Sequence, residues 1–427
     1  MLNIAIAGLG TVGAGVVDLL QKNADLIATR AGKPIIIKAI SARDKNKKRD
    51  CTLPNAEWVE DARSLCKMPG VDVVVELIGG ANGIARDVAE SALQNGKHLV
   101  TANKALLAMQ GAALARTAES RKLQISFEAA VASGIPVIQT IRETLAGNHL
   151  SLVRGILNGT CNYILTRMEQ AGLSFIDALR EAQEQGYAEA DPAADIDGHD
   201  TANKLAILAA LAFGNEPDLT GVSIEGIRHL TPLDLQFARE LGCRIKLLGV
   251  ARMSESGLEQ RVAPCLISLQ SSLAQVNGAL NAVLLRGDFI GDLTLEGQGA
   301  GGRATASAVV GDLISLARGH VRPAFSIPAA QLKKQSSAKP GTVQASRYYM
   351  RLQVKDKPGV VADMSAILRD EAISIESLLQ RGKAKAGLVP VVLMTHTANP
   401  DAIQRAAVKI AQISTVTEKP CILRIED

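Results

Sequence analysis

The sequence predicts a mixed α/β chain in three parts. Residues 1–135 read as a doubly wound parallel-sheet domain and 136–332 as a mixed α/β domain, while 348–427 form a small α+β domain behind a polar linker at 333–347. Three observations carry this. The chain opens on a strand, a glycine-rich turn, a helix and a second strand. Its middle twice runs a strand into a small-residue turn, then holds a long acidic loop that feeds a helix. Its last segment orders strands and helices as βαββαβ, a ferredoxin-like layout. A length of 427 residues accommodates several domains at roughly 100–200 residues each. Apolar content of 47% and charged content of 21% are ordinary for globular chains and exclude disorder and collagen-like fibres. Aromatics, at 3%, leave the core to Ala, Val, Ile and Leu and argue against wide stacking platforms for nucleic-acid bases. A net charge of +4 gives no reason for a polyanionic partner.

Asn3 to Ala7 is an apolar run ending in Gly8-Leu9-Gly10-Thr11-Val12-Gly13. Val16, Val17, Leu19 and Leu20 then mark one side of a helix, and Ile35 to Ile40 is a β-branched strand. In this context G-x-G-x-x-G is the fingerprint of a Rossmann dinucleotide-binding domain. Gly8 permits a tight turn, Gly10 admits a pyrophosphate against the backbone, and Gly13 lets the helix pack close to the sheet. The helix N-terminus offers its free N–H groups to the phosphates. Gly8, Gly10, Thr11, Val12 and Gly13 are therefore expected at the cofactor. The second strand ends in Ser41-Ala42-Arg43-Asp44-Lys45-Asn46-Lys47-Lys48-Arg49, five basic residues within seven positions. Such a loop suits the 2′-phosphate of NADP, with Arg43 as a contact, whereas Asp44 keeps NAD in play through the ribose 2′-hydroxyl. Charged runs of this kind also occur as solvated loops.

Val71 to Ile78 is a further strand ending in Gly79-Gly80, and His98 to Thr101 another, followed by Ala102-Asn103-Lys104. Ligands of a doubly wound sheet sit at the carboxyl ends of its strands, so Lys104 stands where a group facing a nicotinamide belongs. A lysine in a loop is otherwise a solubility residue. Ile125 to Pro136 then runs a strand into small residues, and Gly155 to Ile164 turns a strand into a helix. The stretch Ala182 to Lys204 carries Glu189, Asp191, Asp195, Asp197 and Asp200 before the apolar run Leu205 to Phe213. Asp200 and Lys204, four apart, share one helix face. Read blandly, this is an acidic helix start with one ion pair. Carboxylates this crowded are costly, however, unless a cation or a substrate ammonium lies among them.

With these residues in view, the chain closely resembles the homoserine dehydrogenase family. Residues 182–204 match its signature without a gap: A-x-x-x-G, an aromatic, a small residue, two variable positions, then D-P-x-x-D-I-x-G-x-D-x-x-x-K. Thr101–Lys104, Glu128–Pro136 and Gly155–Ile164 match in the same order, so the resemblance covers residues 1 to about 330. It implies NAD(P)-dependent interconversion of L-homoserine and L-aspartate 4-semialdehyde, on the route to threonine, methionine and isoleucine. On this resemblance Lys204 is the catalytic lysine that exchanges a proton with the substrate hydroxyl, and Lys104 touches substrate and cofactor at the nicotinamide edge. Glu189 and Asp200 are expected to hold the substrate amino group, with Asp195, Thr160 and Tyr187 as further contacts. Gly186 is expected to line the cofactor. Gly302 is a second such contact, within a matching stretch at Glu296–Val310 where Ala304 replaces the family's usual proline and loosens the helix entry. Glu128, Val131, Ser133 and Ile135 match the family's sodium loop, where ligation is largely through backbone carbonyls. The segment has no His or Cys, which suits a hard monovalent cation rather than zinc. Oxidising an alcohol needs a base for its proton. A lysine serves only when its charged form is disfavoured, so Asp200 is expected on the substrate ammonium, with Lys104 acting on Lys204 by like charge.

Tyr348–Val354, a helix at Val360–Asp370, strands at Ile373–Gln380 and Val389–Thr395, a helix capped by Asn399 and a strand at Cys421–Ile425 complete the chain. With Pro358-Gly359 before the first helix, this segment resembles an ACT regulatory domain. Such domains pair edge to edge and bind amino acids between them, so threonine is the expected effector and a homodimer or homotetramer the expected assembly. A purely oligomerising module remains open. The six cysteines show no C-x-x-C pair, and there is no signal core and no run of ~20 apolar residues. A cytoplasmic enzyme is expected, with no kinase segment upstream, no membrane and no nucleic acid. Two rivals stand beside it: a catalytically inactive amino-acid sensor, and a related dehydrogenase for another small amino-acid alcohol.

Overall fold

The computed structural model describes residues 1–255, 257–334, 344–380 and 387–426. Most of the expected linker, 335–343, lies outside these. Leu2–Ala7 (β1), Ile35–Ser41 (β2), Glu57–Trp58 (β3), Val73–Glu76 (β4), His98–Thr101 (β5) and Ile125–Ser126 (β6) form a parallel sheet in the order β3-β2-β1-β4-β5-β6. Ile4 pairs with Ile37 on one side and Val73 on the other. This is the doubly wound order, with its switch point between β1 and β4. Helices Thr11–Lys22 (α1), Ala24–Ala31 (α2), Ile84–Gln94 (α3) and Lys104–Ser120 (α4) make the crossovers. The central strands are continuous apolar runs because both of their faces are covered. The strand expected from Ile125 is only two residues long. Glu128 turns its carboxylate onto the amides of Ile138 and Gln139 and bends the chain into a short helical turn.

The middle of the chain contributes helices Val137–Gln139 (α5), Gly159–Ala171 (α6), Phe175–Glu184 (α7), Ala193–Ile196 (α8), His199–Phe213 (α9) and Pro232–Glu240 (α10). Its strands are Leu150–Ile156 (β7), Val222–Ile224 (β8), Cys243–Ser254 (β9), Gly257–Ser268 (β10), Leu280–Gly287 (β11) and Gly291–Gln298 (β12). Helix α9 is apolar all round from Leu205 onward and runs through the largest core cluster, as such a helix must. Gly302–Ala317 (α11) departs from the expected division. A boundary at 135/136 gives it to the middle domain, yet Ala306, Val309, Val310 and Leu313 pack among Ile4, Ile6, Val16 and Val17. Small residues make this possible: a Cβ at Gly15 would lie 2.9 Å from the Gly302 carbonyl.

Arg347–Lys355 (β13), Val360–Asp370 (α12), Ile375–Gln380 (β14), Leu388–Thr395 (β15), Pro400–Ala411 (α13) and Cys421–Glu426 (β16) give the expected βαββαβ order. This unit is not merely appended. β16 pairs in parallel with β10, Leu266 opposite Ile425, so two sheets fuse into one of ten strands. Its order is β12-β11-β7-β9-β10-β16-β13-β15-β14, with β8 beside β10. Among the described residues no helix is long and apolar enough to cross a membrane.

Candidate active site

The glycine turn closes as the sequence requires. Gly8 sits at φ +105°, and a Cβ there would meet the Leu77 carbonyl at 2.6 Å; a Cβ on Gly13 would meet the Gly8 carbonyl at 2.3 Å. Gly10 faces open space, and no side chain caps α1, so the first amides of the helix, at Thr11, Val12 and Gly13, stay available. Gly8, Gly10, Arg43 and Lys47 line a cavity of about 390 Å³. Gly302 begins α11 against Thr11, its missing Cβ leaving room 2.8 Å from the Thr11 methyl. Two uncapped helix N-termini therefore converge here, a donor set that fits a dinucleotide pyrophosphate.

At the carboxyl ends of β4 and β5 the two main domains meet. Thr101 donates to Glu76 (2.6 Å), and Asn103 caps α4 while its amide donates to the Gly80 carbonyl (2.7 Å). These bonds aim Lys104, the first residue of α4, at Asp200 in the first turn of α9, 3.1 Å away. Lys204, one turn on, donates to the other Asp200 oxygen (2.7 Å) and to the Leu157 carbonyl (2.7 Å). Burial alone would raise the Asp200 carboxyl, but Lys204 and Lys104, with the hydrogen bonds from Lys204 and Asn158, hold it well below the usual range. Asp200 in turn raises Lys104, outweighing its burial. Asp200 thus does not stand clear of Lys204 as expected. It bridges both lysines.

Asp195 lies beside this pair, with Asn158 donating to both Asp195 (2.8 Å) and Asp200 (2.9 Å). The Thr160 hydroxyl is 2.6 Å from the Tyr187 carbonyl and 3.1 Å from Asp195 Oδ2. The Tyr187 ring packs on Tyr163 with centroids 4.7 Å apart. Glu189 is exposed, near enough to add to the raising of Lys104. The other two acidic residues turn away: Asp197 pairs with Arg228, and Asp191 caps the amide of Ala193. Gly186 is exposed at φ +74° after α7, next in the chain to Tyr187. The Cys161 thiol donates to the Asp195 carbonyl and is pushed up by burial and by Asp195, so it is no nucleophile.

Asn158 is the residue that sequence reasoning missed. It caps α6 through the Cys161 amide (2.9 Å) and joins two carboxylates. Its signal was an Asn placed where a strand turns into a helix, the preferred N-cap.

The expected cation loop is tightly built. Ala132 holds φ +47°, and Ser133 and Gly134 donate their amides to the carbonyls of Gly299 (3.2 Å) and Gln298 (2.8 Å). Val131 and Ile135 are buried. Burial, reinforced by Asp312, pushes the Glu128 carboxyl up to about 7. Among the described residues no group of three or more His, Cys, Asp or Glu is arranged to hold a metal.

A glycine turn after β1 together with a lysine pair met at the carboxyl end of β5 in the same sheet marks a nicotinamide-dependent dehydrogenase. Family models match the homoserine dehydrogenase NAD-binding domain at residues 8–128, the homoserine dehydrogenase domain at 136–314 and an ACT domain at 348–412. A homoserine dehydrogenase of Neisseria gonorrhoeae is 42% identical over 100% of this chain and 98% of its own. The crystal structure of a homoserine dehydrogenase from Thiobacillus denitrificans superposes with a TM-score of 0.93 at 40% identity, covering 100% of this chain and 98% of that one. A hyperthermophilic archaeal homoserine dehydrogenase in complex with NADPH superposes with a TM-score of 0.61 at 25% identity, covering 74% of this chain and 97% of that one. The chain belongs to the homoserine dehydrogenase family, and it is an enzyme.

Proposed function

We propose that the chain interconverts L-homoserine and L-aspartate 4-semialdehyde, using NADP in preference to NAD, in the biosynthesis of threonine, methionine and isoleucine. The observation that carries this reading is the Lys104–Asp200–Lys204 bridge, at the ends of β4 and β5 where the two domains meet. The glycine turn at Gly8, Gly10 and Gly13 and the N-terminus of α1 would hold the dinucleotide, which when bound would supply the hydride transfer to or from the alcohol carbon. Lys204 is assigned the proton at the substrate oxygen: two of its three N–H groups are taken by Asp200 and Leu157, leaving the third to donate in the reducing direction. In the oxidising direction Lys204 becomes the base when the substrate ammonium competes for Asp200. Lys104, half-exposed at the domain boundary, stabilises negative charge developing on that oxygen. Glu189 and Asp200 receive the substrate ammonium, with Asp195, Thr160 and Tyr187 as further substrate contacts. The preference for NADP is supported by Arg43 and Lys47 at the cavity beyond β2, and by the NADPH complex of the archaeal relative.

The backbone carbonyls of Glu128, Val131, Ser133 and Ile135 are proposed to hold sodium or another monovalent cation. The constrained loop supports this, as does a Glu128 side chain already committed to amides. Threonine is the proposed effector at the ACT domain. A homodimer or homotetramer is supported by the outer strands β12 and β14 of the ten-stranded sheet and by Phe289, 88% exposed at a hairpin tip. A cytoplasmic setting accords with six free cysteines.

The test is reduction of NADP⁺ and NAD⁺ with L-homoserine by wild type and Lys204→Ala, with and without threonine. Turnover that disappears in the variant supports the reading. Dinucleotide binding without turnover in the wild type overturns it. Inhibition by threonine, and the mass in solution by sedimentation, decide the effector and the assembly.

A further inference from the structure

The basic loop after β2 contains one cation that differs from its neighbours. Arg49 is half-buried, and the loop wraps around its guanidinium. Nη1 donates to the carbonyls of Lys47 (2.7 Å) and Lys45 (3.2 Å), and Nη2 to that of Asp44. Nε donates to the Leu9 carbonyl (3.0 Å), inside the glycine turn. One face of the guanidinium lies over the ring of Trp58, 5.7 Å from its centroid. Trp58 ends β3 and is the chain's only tryptophan.

A guanidinium has five N–H donors in a rigid plane. Four here are taken by backbone carbonyls, so little remains for a ligand. What the side chain does is curl residues 44–49 and seat them on the glycine turn. The curl leaves Arg43 and Lys47 on the cavity beside Gly8 and Gly10. It also turns one Asp44 oxygen, Oδ1, onto the Asn46 backbone amide (2.8 Å).

We propose that Arg49, stacked on Trp58, is a positioning residue for cofactor choice: it shapes the loop through which Arg43 and Lys47 meet the 2′-phosphate of NADP. This rests on the NADP preference proposed above. A lysine at 49 keeps the charge but cannot reproduce a planar fork bonded to four carbonyls. The distinction between shaping and simple attraction is therefore measurable.

The probes are adenosine 2′,5′-bisphosphate and 5′-AMP, which need no turnover. Their binding is followed by calorimetry and by the fluorescence of Trp58. The wild type is expected to favour the bisphosphate at least about tenfold. Arg49→Lys and Arg49→Met are both expected to lose most of that preference while binding 5′-AMP within about twofold of wild type. Trp58→Leu, read by calorimetry alone, is expected to weaken the bisphosphate about two- to fivefold. The KM for homoserine should not move, because the loop is peripheral to the Lys104–Asp200–Lys204 bridge. An Arg49→Lys variant that keeps the wild-type preference overturns the proposal and makes Arg49 a point charge. Equal weakening of both nucleotides also overturns it, assigning Arg49 to the glycine turn. A wild type that binds the two nucleotides equally fails at an earlier step, removing the NADP preference itself before any variant is read.

Discussion

Asp200 and Asp234 are both buried carboxylates held ionised by cations, at least one of them from a distant part of the chain, and they differ in what their partners leave open. Asp234, at the start of α10, receives Arg351 (2.6 and 3.3 Å) and Tyr349 (3.1 Å) from β13 of the C-terminal domain. The amide and hydroxyl of Thr231 complete its shell at 2.9 and 2.7 Å. Burial would raise its carboxyl, but Arg351 overrides this and lowers it. Every direction around Asp234 is taken, and it is 0% exposed. Asp200 is nearly as buried, yet one of its lysines, Lys104, keeps 43% of its side chain exposed at the domain boundary. A saturated, sealed pair is a strut. An unsaturated one with an open side can receive a ligand. Arg154 and Arg261 closing on Glu426 near the β10–β16 joint repeat the strut pattern.

The strongest way to break the comparison is to remove one cation from each carboxylate. Lys204→Met is expected to lower kcat by about 10²–10⁴-fold, as loss of a positioned proton donor does. Dinucleotide binding, read by fluorescence titration, should stay intact. A variant with near-normal kcat would return Lys204 to the class of struts.

Arg351→Met is expected to cost about 3–5 kcal/mol of stability by leaving Asp234 buried without its cation. Denaturant unfolding measures this. The kcat of the molecules that remain folded should be unchanged, and a fall in kcat without a loss of stability would contradict the contrast.

Lys246 sharpens the comparison from the other side, because it is a buried cation with no carboxylate in ion-pair contact among the described residues. It donates to Asn162 Oδ1 (2.8 Å) and to the Val276 carbonyl. Burial, with Arg244 adding, lowers it to about 7. Between about 7 and 10.5 the unfolded chain binds a proton that the folded chain does not. Stability should therefore rise with pH across that window and level off below it. Lys246→Met should flatten this part of a thermal-midpoint profile, and an unchanged slope would refute the assignment.

The smallest effect is expected at Asn158, which serves both kinds of role. Asn158→Ala should lose about 1 kcal/mol through the α6 cap. It should also raise the KM for homoserine more than it lowers kcat, since Asp195 and Asp200 lose the donor that fixes their spacing. Steady-state kinetics separates the two.

Much of this site was legible because its signals are local. The glycine turn lies within six residues, and the Asp200–Lys204 pair within one helical turn. The βαββαβ order of the last segment follows from alternation and from caps such as Asn399. Among crowded acids, spacing alone could not tell inward from outward. Asp195 and Asp200 face the lysines whereas Asp191 and Asp197 do not, because the turn at Pro192 and the partner Arg228 come from the fold.

By itself, then, the sequence determined the periodic elements, the phosphate-binding turn and the pair on α9, since each depends on residues a few positions apart and on backbone geometry that neighbours set. Only the tertiary structure decided that Lys104 reaches Asp200, that α11 joins the N-terminal core, that β16 continues the sheet of β10, and that Arg49 is folded onto Trp58. These contacts join segments far apart in the chain. Which partners meet depends on how all the apolar faces are buried together, and no local pattern carries that information.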